Sequence, residues 1–186
     1  MSFNLQFPIE TTRLIIRPYL AADICEQTEA VLESVSTVGR WLSWCTPDYT
    51  VKDAAEWFVI CEDALKESAA YTFGLFDKLT NQLLGSITIN QLKPDYKIGN
   101  IGYWVRESKQ GLGYALEAVL AIKQFAFRDL QLLRLEIVAA IDNKPSNRVA
   151  IKSGARFEGV DKKRILLKTG YVDANIYAFF ASKEPT

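Results

Sequence analysis

Three short segments, YTFGLFD, LLGSITINQL and GNIGYWV, follow one another between residues 71 and 105, with turn material such as KLTNQ and KPDYK between them. Each is rich in β-branched and aromatic residues, so the stretch reads as an antiparallel meander. On either side the period changes to that of a helix. Upstream, DICEQTEAVLES is amphipathic with Asp23 able to cap it. TVKDAAEWFVICEDALKES opens with Thr50 and places Asp53 three residues later, a near capping box ahead of Ala54, Trp57, Phe58, Ile60 and Cys61. Downstream, YALEAVLAIKQFAFRDL carries Leu116, Val119, Leu120 and Phe127 on a face broad enough to pack on a sheet.

TRLIIRPYL adds a first strand ending near Pro18, and LLRLEIVAA a later one. A short helix in SNRVAIKSG stops at Gly154, and Ser146 is available as its N-cap. ARFEGVDKKRILLK and GYVDANIYAFFA form a last pair turned at Lys168, Thr169 and Gly170. The predicted order is β-α-α-β-β-β-α-β-α-β-β, an α+β arrangement. With 186 residues, 49% of them apolar, and neither linker nor repeat, one domain over residues 1–186 is expected, burying roughly 70% of its unfolded surface.

Lys+Arg and Asp+Glu each number 22, so no global charge favours nucleic acid or a membrane. Cys25, Cys45 and Cys61 lack the spacing of a zinc site or a disulfide framework and read as reduced core thiols. No leader-like or membrane-length apolar run is present in the sequence, which implies a cytoplasmic protein. The chain contains no histidine. That excludes Ser-His-Asp and Cys-His catalysis and His-ligated metals, leaving carboxylate, hydroxyl, amine or water to move any proton.

Residues 110–115, QGLGYA, put two glycines directly before a helix. A helix N-terminus offers unpaired N–H groups and partial positive charge, and glycine lets an anion approach without meeting a Cβ atom. A phosphate is the natural occupant, although a Gly-x-Gly also serves as a plain strand-to-helix turn. No Walker sequence occurs, and a dinucleotide fingerprint needs Gly or Ala where Leu116 stands.

QGLGYA fits the Gln/Arg-x-x-Gly-x-Gly/Ala pattern and resembles the acetyl-CoA pyrophosphate loop of GNAT N-acetyltransferases. IGYWVRESKQGLGYALEA and DNKPSNRVAIKSGARFEG, with TTRLIIRPYLAAD and GYVDANIYAFF at the two ends, resemble the ribosomal-protein (RimJ/RimL-type) branch over nearly the whole chain. The resemblance implies a mixed, mostly antiparallel central sheet of about seven strands flanked by helices and splayed between the fourth and fifth strands. The donor is then acetyl-CoA, with no metal, and transfer to the amine is direct.

By the same resemblance, Tyr103, Trp104 and Val105 on the splayed strand line the pantetheine arm, to which the main chains of Tyr103 and Val105 pair. Gln110, Gly111, Leu112, Gly113, Tyr114 and Ala115 form the pyrophosphate loop. Asn143 reaches the arm, its alternative being an Asx turn that closes the strand. Ser146 lies near the CoA sulfur and protonates or stabilises the departing thiolate. The Val105 N–H polarises the thioester oxygen.

Relatives often carry Glu just before IGYW and another after EG, but this chain has Asn100 and Ile165 there. Without an evident base, a water relay or an acceptor of low pKa is required. An α-amine at about 7.7–8.0 needs less help than lysine at about 10.4, which favours an N-terminal acceptor. Glu158 and Asp173 are the nearest acidic candidates, with surface roles as the alternative. Trp41 and Trp44 in GRWLSW, three apart on one helical face, are candidates for the acceptor cleft, with core packing as the alternative. Tyr71, Tyr171 and Tyr177 are candidates for the same wall. The expectation is an acetyl-CoA-dependent N-acetyltransferase for a protein N-terminus such as that of a ribosomal protein, as a monomer or homodimer, binding neither nucleic acid nor membrane. A small amine or antibiotic as acceptor, or a CoA-binding module weak in catalysis, are the alternatives.

Overall fold

A computed structural model describes residues 7–182; the two ends of the expected 1–186 domain lie outside the described residues. The predicted order reappears with one addition. A two-residue strand, β1 (Ile9–Glu10), precedes β2 (Leu14–Arg17) and pairs with it, which raises the strand count to eight. Two residues are too few to carry a period, so the pattern could not announce this strand. Next come α1 (Ile24–Glu33), α2 (Val51–Lys66), β3 (Tyr71–Asp77), β4 (Leu83–Lys93), β5 (Ile98–Val105) and α3 (Tyr114–Arg128). The chain continues through β6 (Arg134–Ala140), α4 (Lys144–Lys152), β7 (Arg156–Leu167) and β8 (Gly170–Phe180).

All eight strands join one sheet in the order β1-β2-β3-β4-β5-β6-β8-β7. The meander pairs antiparallel throughout, and among the described residues β5–β6 is the one parallel pairing. Connecting parallel neighbours needs a crossover, which α3 supplies.

Strand alternation sorts the two faces. In β4, Ile87 and Ile89 point to the α3 side and join Phe73, Leu75, Val119, Ile122 and Phe125 in the main core. Full burial of each such side chain contributes about 1.5–3 kcal/mol. Ser86, Thr88 and Asn90, the intervening residues, face a cavity below α1 and α2. Their polar edges keep that face from closing into a dry core. A smaller cluster beside them packs Ala30, Val31, Val38 and Cys45 against Phe76, Leu83 and Trp104.

The Thr50–Asp53 capping box forms, with Thr50 N donating to Asp53 Oδ2 at 2.7 Å and Asp53 N to Thr50 Oγ1 at 3.3 Å. Asp23 does something other than the cap expected of it. Its backbone is already helical, and its carboxylate accepts from Leu20 N at 2.8 Å and pairs with Arg17 at 2.7 Å. Helix α4 starts two residues ahead of the predicted Ser146, so Asn143 caps it and Ser146 sits inside the first turn. Cys45 and Cys61 are buried, whereas Cys25 is exposed and is no core thiol.

Candidate active site

The parallel pairing of β5 with β6 stops at Asn100–Glu136, although β5 stays paired with β4 as far as Val105. Arg106 N donates to Leu84 O at 2.8 Å. Counting back in steps of two, Trp104 and Gly102 spend their main-chain groups on β4, while those of Tyr103 and Val105 face β6 across the opening. Gln110 Nε2 donates to the Val105 carbonyl at 2.9 Å, which leaves the Val105 N–H directed into the gap.

The loop after β5 is held from two sides. Arg106, which is buried, pairs with Glu33, and Ser108 N donates to the other oxygen of the same carboxylate at 2.7 Å. These bonds hold Glu33 well below the usual carboxylate range, at about 2, against the upward push of its partial burial. From the opposite side Arg13 Nε meets Glu117 Oε2 at 2.7 Å, and its guanidinium donates to Leu112 O at 2.9 Å. Between these anchors Gly111 (φ 76°) and Gly113 (φ 87°) take the left-handed conformation, and Gly113 is the N-cap of α3. A Cβ on Gly111 would meet nothing within 4 Å, and one on Gly113 would lie 3.4 Å from Arg13 Nη2, so the loop is open at Gly111 and bordered by a guanidinium at the helix start. Such an opening suits an anion.

Tyr103 Oη and Ser146 Oγ are 3.0 Å apart, joining β5 to the first turn of α4. Burial pushes the Tyr103 phenol up to about 12, so it remains a neutral hydroxyl. Asn143 Oδ1 accepts from Ser146 N at 3.2 Å, which makes Asn143 the cap of α4, three residues after β6 ends. Asn147, one residue beyond Ser146, ties the whole corner together. Its amide nitrogen donates to Ala140 O at 2.9 Å and to Asn143 O at 2.8 Å. Its oxygen accepts from Asn175 at 2.7 Å and from Tyr177 Oη at 2.9 Å.

On the other face of β5 lies a cavity of about 660 Å³ reaching from Gln27 on α1 to Gly102, Tyr103 and Trp104. Aromatic walls come from Trp44, Tyr49, Trp57 and Trp104, with Trp44 edge-on to Trp104 at 5.7 Å. Asp48, Glu56 and Asp53, whose carboxylate also bonds Thr50, are among the lining residues, and neither Lys nor Arg is. The cavity therefore suits a cation or an amine.

The residues expected from sequence divide accordingly. Tyr103 and Val105 edge the gap, Gln110 of the 110–115 loop bonds the Val105 carbonyl, and Ser146, whose N–H bonds the Asn143 cap, meets Tyr103. The side chain of Trp104 belongs to the cavity and its main chain to β4, so it does not face the gap. Trp44 lines the cavity, but Trp41 does not, because the short turn Val38–Arg40 ends at Trp41 and the two share no helix. Tyr71 is buried in the main core against Phe125. Tyr171 is exposed near the β7–β8 turn, and Tyr177 is spent on Asn147. Sequence reading missed Asn147, Gln27, Tyr49 and Arg13. The alternating polar Ser86-x-Thr88-x-Asn90 inside a strand was the available signal for the cavity floor.

Glu158 and Asp173 are both spoken for. The Arg134 guanidinium holds Glu158 below the usual range, and Arg134 lies at the start of β6, the end still paired to β5. Asp173 is lowered by the Lys163 N–H, 2.9 Å away, and by Lys162. Asn100 Nδ2 donates to Asn90 Oδ1 at 2.9 Å, while Asn100 Oδ1 is buried without a partner among the described residues. Ile165 is half-buried on β7.

A family model described as acetyltransferase (GNAT) domain matches residues 13–156. The ribosomal-protein-serine acetyltransferase of Escherichia coli (strain K12) is 37% identical over 98 residues, a match spanning 53% of this chain and about half, 55%, of that relative. A solved acetyltransferase from Salmonella typhimurium, described as modifying the N-terminal serine of ribosomal protein L7/L12, is 25% identical with a TM-score of 0.82, covering 94% of this chain and 99% of its own. A structure of the L7/L12 α-N-protein acetyltransferase RimL in complex with coenzyme A is 25% identical with a TM-score of 0.85, covering 92% and 97%.

Proposed function

This chain belongs to the acetyltransferase (GNAT) domain family, and from that premise we propose that it moves an acetyl group from acetyl-CoA to the N-terminal α-amine of a protein, a ribosomal protein being the substrate its relatives suggest. The observation that carries this reading is the parting of β5 from β6 directly before a glycine-bounded helix start, with a separate amine-compatible cavity on the opposite face of β5. Two substrates have two approaches to one strand.

The residues fit the donor. The main chain of Tyr103 and the N–H of Val105 offer an amide-bearing arm a strand edge that no neighbouring strand pairs. The loop from Gly111 to Ala115, open at Gly111 and with the Arg13 guanidinium beside Gly113, suits a pyrophosphate, and Gln110 fixes the strand end by bonding Val105 O. When bound, acetyl-CoA supplies an acetyl group activated as a thioester. The Val105 N–H is directed where it stabilises developing negative charge on the carbonyl oxygen. Ser146, with Tyr103 behind it, donates to the departing sulfur. Asn143, the cap of α4, reaches the arm; Trp44 and Trp104 wall the acceptor side. With Glu158 and Asp173 occupied by cations, the acceptor attacks as the fraction already neutral. The proton shed from its nitrogen as the amide forms and the thiolate departs passes to water. We place this activity in a single domain acting in the cytoplasm, without a metal.

The test is transfer by the purified chain from acetyl-CoA to three acceptors: a peptide with a free N-terminus, the same peptide blocked there but containing lysine, and a small polyamine. Mass spectrometry of the acceptor is the readout, because exposed Cys25 would react with a thiol dye. Exclusive or strongly preferred N-terminal acetylation supports the proposal; transfer to the small amine alone overturns it.

A further inference from the structure

We infer that Arg13 binds the pyrophosphate of the acetyl donor directly, as a guanidinium fork held in place by Glu117; this rests on the donor site proposed above. Arg13 stands 99 positions before Leu112 in the chain, yet the fold brings it against the loop. A guanidinium has five N–H donors in one plane. Here Nε donates to Glu117 Oε2 at 2.7 Å and Nη1 to Leu112 O at 2.9 Å. The Tyr114 ring lies under the plane, its centroid 4.4 Å from Cζ. Three contacts fix the group, and Nη2 is left without a hydrogen bond among the described residues. That free atom stands 3.4 Å from where a Cβ on Gly113, the N-cap of α3, would be. The side chain is 42% exposed, so a ligand can reach it.

Stapling the start of β2 to α3 does not require this free edge. Glu117 Oε1 already accepts from Thr11 Oγ1 at 2.6 Å and from Arg13 N at 2.8 Å. A cation is also the wrong sign for a helix N-terminus, which carries partial positive charge and favours anions. Glu117 offsets part of that charge, and a pyrophosphate lying between the guanidinium and the helix amides offsets the rest. Arginine suits the task because its planar fork meets two phosphate oxygens at once, which a lysine cannot do. The other cations near the loop serve less well. Arg106 is buried and spends its donors on Glu33 and Leu83 O. Lys109 ends the short turn Glu107–Lys109 as a point charge on a flexible stem.

The experiment is calorimetric titration of the purified chain with CoA and with dephospho-CoA, which keeps the pyrophosphate but lacks the ribose 3′-phosphate. Arg13→Gln should weaken both ligands about tenfold, the scale of one partly exposed hydrogen bond to a charged group. The loss should shrink as salt is raised. Arg13→Lys, which keeps the charge without the fork, should lose less. Glu117→Gln separates contact from stapling. Its amide oxygen still accepts from Arg13 Nε while the carboxylate charge beside the pyrophosphate is gone, so the melting temperature should fall and CoA affinity should hold or rise. Lys109→Gln should cost less than Arg13→Gln. Parental affinity in Arg13→Gln, folded by circular dichroism, overturns the inference and leaves the donor site intact. An equal loss in Glu117→Gln means a staple only, an equal loss in Lys109→Gln means general charge only, and a loss confined to CoA puts Arg13 on the 3′-phosphate; each overturns it. Should Arg13→Gln fail to fold, weaker binding in Arg13→Lys than in Glu117→Gln supports the inference and the reverse order overturns it. A parent that binds neither ligand overturns the donor site and this inference together.

Discussion

Tyr103 Oη stands 3.0 Å from Ser146 Oγ and 3.2 Å from the Ser146 carbonyl, so one phenol joins the strand beside the donor gap to the first turn of α4. The capping role open to that serine in the sequence falls to Asn143, which leaves Ser146 for the proposed role at the sulfur. Asn143→Ala should cost about 1 kcal/mol of stability, the usual loss of an N-cap, whereas Ser146→Ala should cost clearly less because it keeps the bonded N–H. In turnover the order reverses. Ser146→Ala should lower kcat by roughly 10²-fold with little change in acetyl-CoA affinity, and Tyr103→Phe by a smaller factor. Chemical denaturation alongside steady-state kinetics checks both halves. Full turnover in folded Ser146→Ala would remove the serine from the chemistry.

Gly113 caps α3 at φ 87°, where asparagine and aspartate are tolerated about equally. Gly113→Asn and Gly113→Asp therefore separate shape from charge. Both should fold, and Asp should weaken acetyl-CoA binding several-fold more than Asn, with the difference shrinking as salt is raised. Calorimetric titration at two ionic strengths measures it. Equal affinities for the two variants at low salt would take the pyrophosphate away from this helix.

With no histidine, and with Glu158 and Asp173 held ionised by their cationic neighbours, turnover at saturating acetyl-CoA should rise with pH as the acceptor amine deprotonates. The midpoint should follow the acceptor, reaching its plateau earlier for an α-amine near about 8 than for a lysine-type amine near about 10.4. Glu158→Gln and Asp173→Asn should leave the profile in place. Tyr103, pushed up to about 12, should add no break below about pH 10. An acceptor-independent midpoint lost in one variant would identify a base on the enzyme.

Glu33 in the folded protein sits at about 2, below its ordinary 4.5, because Arg106 and Ser108 bond its ionised form. A depressed carboxylate contributes stability that is fully present above the unfolded value and is lost as pH falls through the folded one. Glu33→Gln should therefore be destabilising at neutral pH, on the order of 3 kcal/mol because Arg106 is left buried without its charge partner. The gap between parent and variant should narrow from about pH 4.5 down to about 2. Denaturant midpoints across that range test it, and a pH-independent gap would contradict it. Because Glu33 also holds Ser108, the variant should bind acetyl-CoA more weakly at neutral pH.

Periodicity settled the meander, its flanking helices and the glycine-bounded helix start, because spacing along the chain is a local property. Ile87 and Ile89 alternate with Ser86, Thr88 and Asn90 in the letters themselves. The capping box of α2 was legible for the same reason, Thr50 and Asp53 being three residues apart. What the letters left open is everything that depends on residues distant in sequence. Tyr103 and Ser146 are separated by 43 positions, Arg106 and Glu33 by 73, and Arg13 and Glu117 by 104. Tyr71 and Tyr177 read as possible cleft residues, since an aromatic in a strand has no sign of which face it joins until its neighbours pack. Gln27 looked like any polar position on an amphipathic helix. Only the approach of α1 to the sheet, which buries the Gln27 side chain at the cavity beside Tyr49, shows that it is no surface position.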